Sequence, residues 1–244
     1  MAERPYVLLS VAMSADGYID DATSARLILS NPADLDRVDE VRAGCDAILV
    51  GANTVRRDNP ALQVRSPARR TARSAAGRPA TPARVTITGG GDLDPEARFF
   101  AAGEGARLVY VPAPRRDAVA ARLGSAVGPA EVVAAGDPLS LDAVLADLAG
   151  RGVRRLLVEG GGSVLAQFLA QGLADELHLV IAPVFVGDPG GPRIAAAGPG
   201  AGPGAGPGAG PGAGPGAGPG GRLHLAEVRA IGDVVLLRYL PSAS

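Results

Sequence analysis

Short apolar runs that alternate with helix-patterned stretches constrain this chain more than any other feature. Residues 6–12, 47–50, 84–88, 107–111, 131–134 and 155–158 are rich in Val, Ile and Leu, and several are flanked by turn residues. Most are continuous rather than alternating, the pattern of strands buried on both faces. Helical stretches lie between them. Residues 31–43 open on an Asn-Pro cap and carry Leu35, Val38 and Val41 at helical spacing. Residues 141–149 follow Ser140 and gather Leu141, Val144, Leu145 and Leu148 on one face. Residues 163–171 follow a glycine run and end at Gly172. Three more strands are read at 176–182, 223–230 and 234–240, the last two joined by a tight Gly232-Asp233 turn. This order predicts one α/β domain: a mainly parallel sheet covered by helices, with an antiparallel C-terminal edge.

One segment departs from that pattern. From Ala197 to Gly220 the chain reads Ala-Gly-Pro-Gly six times. Collagen needs Gly at every third position, so a period of four excludes a triple helix. With no side chain to bury, the repeat is expected to be a flexible surface loop inserted in the domain, since loop length adds little closure entropy.

Composition removes several kinds of chemistry. All 24 basic residues are Arg, so Schiff-base catalysis and a P-loop lysine are excluded. A single cysteine, Cys45, excludes a disulfide framework and a multi-cysteine zinc site, and no metal is expected. The net charge of −1 argues against a nucleic-acid binder. No long apolar run marks a membrane span, so a cytoplasmic protein is expected.

In parallel sheets ligands collect where strands end and helices begin, because free backbone amides and the helix dipole favour anions there. Three segments occupy such positions. Leu156-Leu157-Val158 runs into Glu159, then Gly160-Gly161-Gly162 and a helix start. The glycines allow a phosphate to approach the backbone, although the spacing is not that of the G-x-G-x-x-G dinucleotide fingerprint. A carboxylate at the end of a buried strand needs a partner, either a ligand or an arginine. The strand at 47–50 leads into Gly51, Asn53 and Thr54, followed by an arginine-rich stretch. Arginine forks suit phosphate, and Arg65, closing the apolar stretch 62–64, is the best placed. Arg69, Arg70, Arg73 and Arg78 sit among Ala, Ser and Pro and read as a solvated loop. The first strand ends in small residues and the Asp16-Gly17 turn, where Asp16 reads as a turn former. His178 and His224 have no metal-ligand spacing, and Cys45 reads as buried and inert.

Taken in order, five stretches resemble the pyrimidine-reductase domain of riboflavin biosynthesis. They are Arg4-Pro5-Tyr6 with Ala12-Met13-Ser14-Ala15-Asp16-Gly17; Arg42-Ala43 with Asp46 to Gly51; Thr54-Val55 through Asp58, Pro60, Leu62 and Arg65; Val158-Glu159-Gly160-Gly161; and Gly172 to Glu176 with Ala182-Pro183. The resemblance spans nearly the whole chain apart from the repeat. It implies a dihydrofolate-reductase-like α/β fold and an NADPH-dependent reductase. Its small-molecule substrate would be a phosphorylated ribosylamino-pyrimidine, reduced to the ribitylamino product by hydride transfer to C1′ of the ring-opened imine. By motif, Ala12, Thr54, Asp58, Gly161, Gly162, Ser163, Val164, Leu165, Ala166 and Gln167 would contact NADPH, with Thr88 as a further cofactor candidate. Arg42, Leu62, Arg65 and Glu159 would line the substrate, the arginines for its phosphate and Glu159 for a sugar hydroxyl or ring nitrogen. A homodimer is implied as well.

Two departures qualify the transfer. Bifunctional bacterial members carry Lys two positions before the Ala of the first motif, and here that place is Ser10. No proton donor is therefore assigned. The His-x-Glu and Pro-Cys-x-x-Cys signatures of the zinc-deaminase half are also absent from this sequence, which resembles the stand-alone reductases. The competing readings are a reductase of another pterin- or pyrimidine-like substrate and a nucleotide-binding module without turnover.

Overall fold

A computed structural model describes residues 4–21, 23, 27–124, 130–194 and 223–241. The repeat at 197–220 lies outside the described residues.

Seven strands form the parallel part of the sheet: β1 (Tyr6–Ser14), β2 (Ala47–Gly51), β3 (Ala83–Ile87), β4 (Arg107–Val111), β5 (Ala130–Ala134), β6 (Arg155–Gly160) and β7 (Glu176–Ala182). Then β8 (Leu223–Ile231) and β9 (Val234–Pro241) turn antiparallel, giving the order β5-β4-β3-β2-β6-β1-β7-β9-β8. The expected parallel sheet with an antiparallel C-terminal edge is the architecture observed. Every residue of β2 and β4 is buried, which matches their unbroken apolar runs.

Helices cover both faces. α6 (Leu141–Gly150) and α7 (Gly162–Ala170) bury Leu145, Leu148, Leu165 and Phe168 against Val7, Leu9 and Val158. On the other face, α4 (Arg98–Ala101) and α5 (Arg116–Leu123) supply Phe99, Phe100, Val119 and Leu123 over Leu8, Ile48 and Leu157. α1 (Pro32–Gly44) starts where expected: Asn31 accepts the Asp34 amide at 2.9 Å, with Pro32 in the first turn. Among the described residues, no helix is long and apolar enough to cross a membrane, and no cluster of His, Cys, Asp and Glu could hold a metal ion.

Four helices were not read from the sequence, α4 and α5 above and two more. α2 (Ala52–Asp58) leaves β2 directly at Gly51, where a Cβ would sit 2.8 Å from Val164 Cγ2. α3 (Pro67–Ala75) overturns the solvated-loop reading of Arg69, Arg70, Arg73 and Arg78. Ser66 caps it, and Arg69 bridges Asp36 at 2.6 Å and Asp39 at 3.1 Å. Arg70 donates to the Val64 and Arg65 carbonyls, and Arg78 bridges Asp46 at 2.8 Å. Arg73 is only 4% exposed. It donates to the carbonyls of Ala43, Cys45 and Pro79, thereby capping the C-terminus of α1 with a cation. Hydrophobic periodicity cannot find a helix whose buried contact is a guanidinium.

Candidate active site

A cavity of about 750 Å³ opens at the C-terminal ends of β1, β2 and β6. Seven arginines and four carboxylates line it, a cationic balance suited to phosphorylated ligands.

Glu159 projects from the end of β6 and meets Arg42 of α1. The pair is bidentate: Arg42 Nε donates to Oε1 at 2.6 Å and Nη2 to Oε2 at 2.5 Å. Both side chains are largely buried, at 15% and 10% exposure. Burial works against the Arg42 charge, but Glu159 outweighs it and holds the guanidinium above its ordinary value. The third nitrogen, Nη1, donates to the Gln63 carbonyl at 3.1 Å. Each of the three nitrogens thus carries one bond, and the fork orients Glu159. Arg65 remains half exposed, with Nη2 on the Leu35 carbonyl at 2.6 Å.

The glycine run that follows Glu159 lines the same cavity. The Gly161 amide donates to Thr54 Oγ1 at 3.0 Å, which ties β6 to α2. At Gly162 a Cβ would meet the Arg193 carbonyl oxygen at 2.8 Å and Ile19 Cδ1 at 2.9 Å, so only glycine fits. No side chain caps α7; the Val164 and Leu165 amides donate to the Gly161 carbonyl, which leaves those of Gly162 and Ser163 without a partner within the helix. Bare backbone facing a cationic cavity is what an anionic cofactor group requires.

The turn after β1 closes one side. Ser14 Oγ donates to Asp16 Oδ1 at 2.6 Å, and the Val186 and Gly187 amides reach the same carboxylate at 3.1 and 2.8 Å. The Ser14 hydroxyl and these amides bring Asp16 down to about 2. Asp16 is a turn builder, as expected. Cys45 is buried and its thiol is pushed up to about 11, chiefly by burial.

Of the residues expected at the site, Arg42, Leu62, Arg65 and Glu159 line the cavity, and so do Ala12, Thr54, Asp58, Gly161, Gly162, Ser163 and Leu165. Thr88, Val164, Ala166 and Gln167 do not. Thr88 accepts the Gly91 amide at 2.9 Å, Val164 and Ala166 are buried, and Gln167 donates back to the Ser163 carbonyl within α7. Sequence reasoning missed Arg57, Arg98 and Arg193 on the cavity wall. Arg193 lies eleven residues past the end of β7 and is placed by a bridge to Tyr18, with its guanidinium 3.8 Å from the ring centroid. That is a purely tertiary arrangement, with no local signal.

A family model described as the RibD C-terminal domain matches residues 5–237. The chain is 37% identical over 192 residues to the 2,5-diamino-6-ribosylamino-4(3H)-pyrimidinone 5′-phosphate reductase of Archaeoglobus fulgidus, covering 78% of this chain and 86% of that protein. It is 38% identical over 185 residues to the reductase of the same name from Methanothermobacter thermautotrophicus, covering 75% and 80%. Among solved structures, a pyrimidine reductase-like protein from Corynebacterium diphtheriae superposes with a TM-score of 0.74 at 22% identity, covering 98% of this chain and 93% of that one. RibD from Acinetobacter baumannii gives 0.72 at 24% identity, with 98% and 59% covered. The fold is the dihydrofolate-reductase-like α/β architecture expected from the sequence.

Proposed function

Because the chain belongs to the RibD C-terminal domain family, we propose that this cavity reduces the ribosylamino group of a pyrimidine 5′-phosphate to a ribitylamino group with NADPH. The observation that carries the proposal is that the buried Arg42–Glu159 pair and the uncapped start of α7 line one cavity. A binder of nucleotides alone has no use for a carboxylate held rigid beside a half-exposed arginine.

The residues present fit NADPH. The uncapped α7 start and Gly162, where a side chain would clash, suit its pyrophosphate, and the exposed Arg57 and Arg98 on the wall suit the additional phosphate. The bound cofactor would supply hydride, and the chain's own task is positioning and charge placement. Arg65 takes the substrate phosphate. Glu159 keeps lone pairs available beyond its two bonds to Arg42, and these accept a sugar hydroxyl near C1′. Burial around Glu159 limits water at that point and strengthens the contact. The reading includes a cytoplasmic homodimer, for which the exposed Leu225 and Val228 on the edge strand β8 offer apolar surface.

The deciding experiment is NADPH oxidation by the purified chain, comparing the ribosylamino-pyrimidinone phosphate with dihydrofolate. Turnover with the first and none with the second is expected; the reverse preference would move the protein to another substrate. Arg65→Ala is expected to raise KM for the phosphorylated substrate by roughly 10- to 100-fold with a smaller change in kcat, as for loss of a charged hydrogen bond. Equal use of a dephosphorylated substrate by the parent enzyme would remove Arg65 from that role.

A further inference from the structure

Helix α1 brings a second acid–arginine pair to the same cavity. Asp34 and Arg37 both line it, at 1% and 8% exposure. Arg37 Nε donates to Asp34 Oδ1 at 2.7 Å, and Nη1 lies 3.1 Å from His178 Nδ1. An arginine only donates, so Nδ1 accepts, and the imidazole proton sits on Nε2, 2.8 Å from Glu176 Oε1. The guanidinium is therefore fixed from two sides. Its third nitrogen, Nη2, has no hydrogen-bond partner, and neither has Asp34 Oδ2.

One unused donor and one unused acceptor, both buried and on neighbouring side chains, call for a ligand that offers the complement. Solvent does not reach either atom, so engaging them requires the pair to turn toward the cavity as a ligand enters. The pair is neutral overall, and its carboxylate disfavours phosphate. It suits an uncharged planar edge with a carbonyl oxygen beside an N–H.

The layout of α1 agrees. At about 100° per residue, Asp34 and Arg37 lie on one flank of its cavity face. Leu35, whose carbonyl holds Arg65, lies on the other, with Arg42 between. A substrate with its phosphate at Arg65 and its sugar at Glu159 would extend its base toward Asp34 and Arg37.

We infer that Asp34 and Arg37 read the lactam edge of the pyrimidine, Asp34 Oδ2 accepting N3–H and Arg37 Nη2 donating to the 4-oxo group. The inference rests on the reductase reading above. The carboxamide of a nicotinamide offers the same complement, and the experiment separates the two sources.

KM is measured for the pyrimidinone phosphate and for its N3-methyl analogue, with NADPH affinity measured separately by fluorescence. In the parent enzyme the methyl group is expected to raise KM by roughly 10- to 100-fold. In an Asp34→Leu/Arg37→Met double variant, KM for the unmethylated substrate rises by a similar factor. Discrimination against the methyl analogue shrinks to within about threefold, and NADPH affinity is unchanged. Equal KM values for the two pyrimidines in the parent enzyme would overturn the inference, whether or not the double variant folds. So would a loss confined to NADPH affinity, which would assign the pair to the carboxamide. If the parent enzyme turns over neither pyrimidine, the reductase reading itself falls.

Discussion

Arg42→Met is expected to destabilise the protein by about 3–5 kcal/mol and to abolish turnover, whereas Arg42→Met/Glu159→Gln should recover most of the stability and none of the activity. The first part follows from burial. Glu159 is 10% exposed, and both its oxygens are bonded to Arg42. Removing the arginine leaves an uncompensated carboxylate between β6 and α1, and breaking a buried ion pair on one side costs that much. Neutralising Glu159 as well removes the stranded charge, so the double variant should unfold at a denaturant concentration close to that of the parent. Glu159→Gln alone keeps the shape and should stay folded, yet lose roughly 10- to 100-fold in kcat/KM with NADPH affinity intact. A double variant as unstable as Arg42→Met would show that the loss comes from the Gln63 contact rather than from the ion pair. Unchanged kinetics in Glu159→Gln would take the carboxylate out of the chemistry.

That pair also marks the limit of what the sequence could disclose. Glu159 drew attention because an acid at the end of a buried strand must be compensated, and the alternatives were an arginine and a ligand. The structure supplies the arginine, and it is Arg42, a residue itself expected at the substrate. The two readings converge because the partner comes from the cavity wall. What could not be read was where Arg42 bonds: it reaches Glu159 and Gln63, which are 117 and 21 positions away.

The strands were legible to within about two residues because their signal is local: the apolar-rich stretches read at 107–111 and 176–182 coincide with β4 and β7. Helices that bury leucine, such as α6, were equally visible. α3 was not, since its buried contact is Arg73 under the end of α1, and polar burial carries no periodicity. The same reason hid Asp34 and Arg37. The helical spacing of Leu35, Val38 and Val41 marks the helix but gives no signal for these two residues. In the fold, Arg37 of α1 meets His178 of β7, a contact between residues 141 positions apart.

Glu176, at the start of β7, carries the second large effect, and it concerns acid stability. Oε1 accepts from His178 Nε2 at 2.8 Å and from Arg238 Nε at 2.5 Å, while Oε2 accepts from Tyr6 at 2.8 Å. Burial alone would push this carboxyl up, but the bonds from His178, Arg238 and Tyr6 outweigh it and bring it down to about 2. The folded state therefore releases this proton more readily than the unfolded chain, where the ordinary value is 4.5. The resulting stabilisation, about 3 kcal/mol, is fully present above pH 4.5 and is lost as the pH falls from there to about 2. Glu176→Gln should lower the stability at neutral pH by about 2–3 kcal/mol, because three donors lose their charged acceptor. It should also flatten the decline between pH 4.5 and 2 relative to the parent, as read from urea midpoints across that range. The three donors come from β1, β7 and β9, so the carboxylate joins the parallel sheet to its antiparallel edge. A variant with parental stability at pH 7, or with an undiminished acid slope, would mean that the sheet edge is held by the apolar contacts of Leu29, Val180 and Leu236 instead.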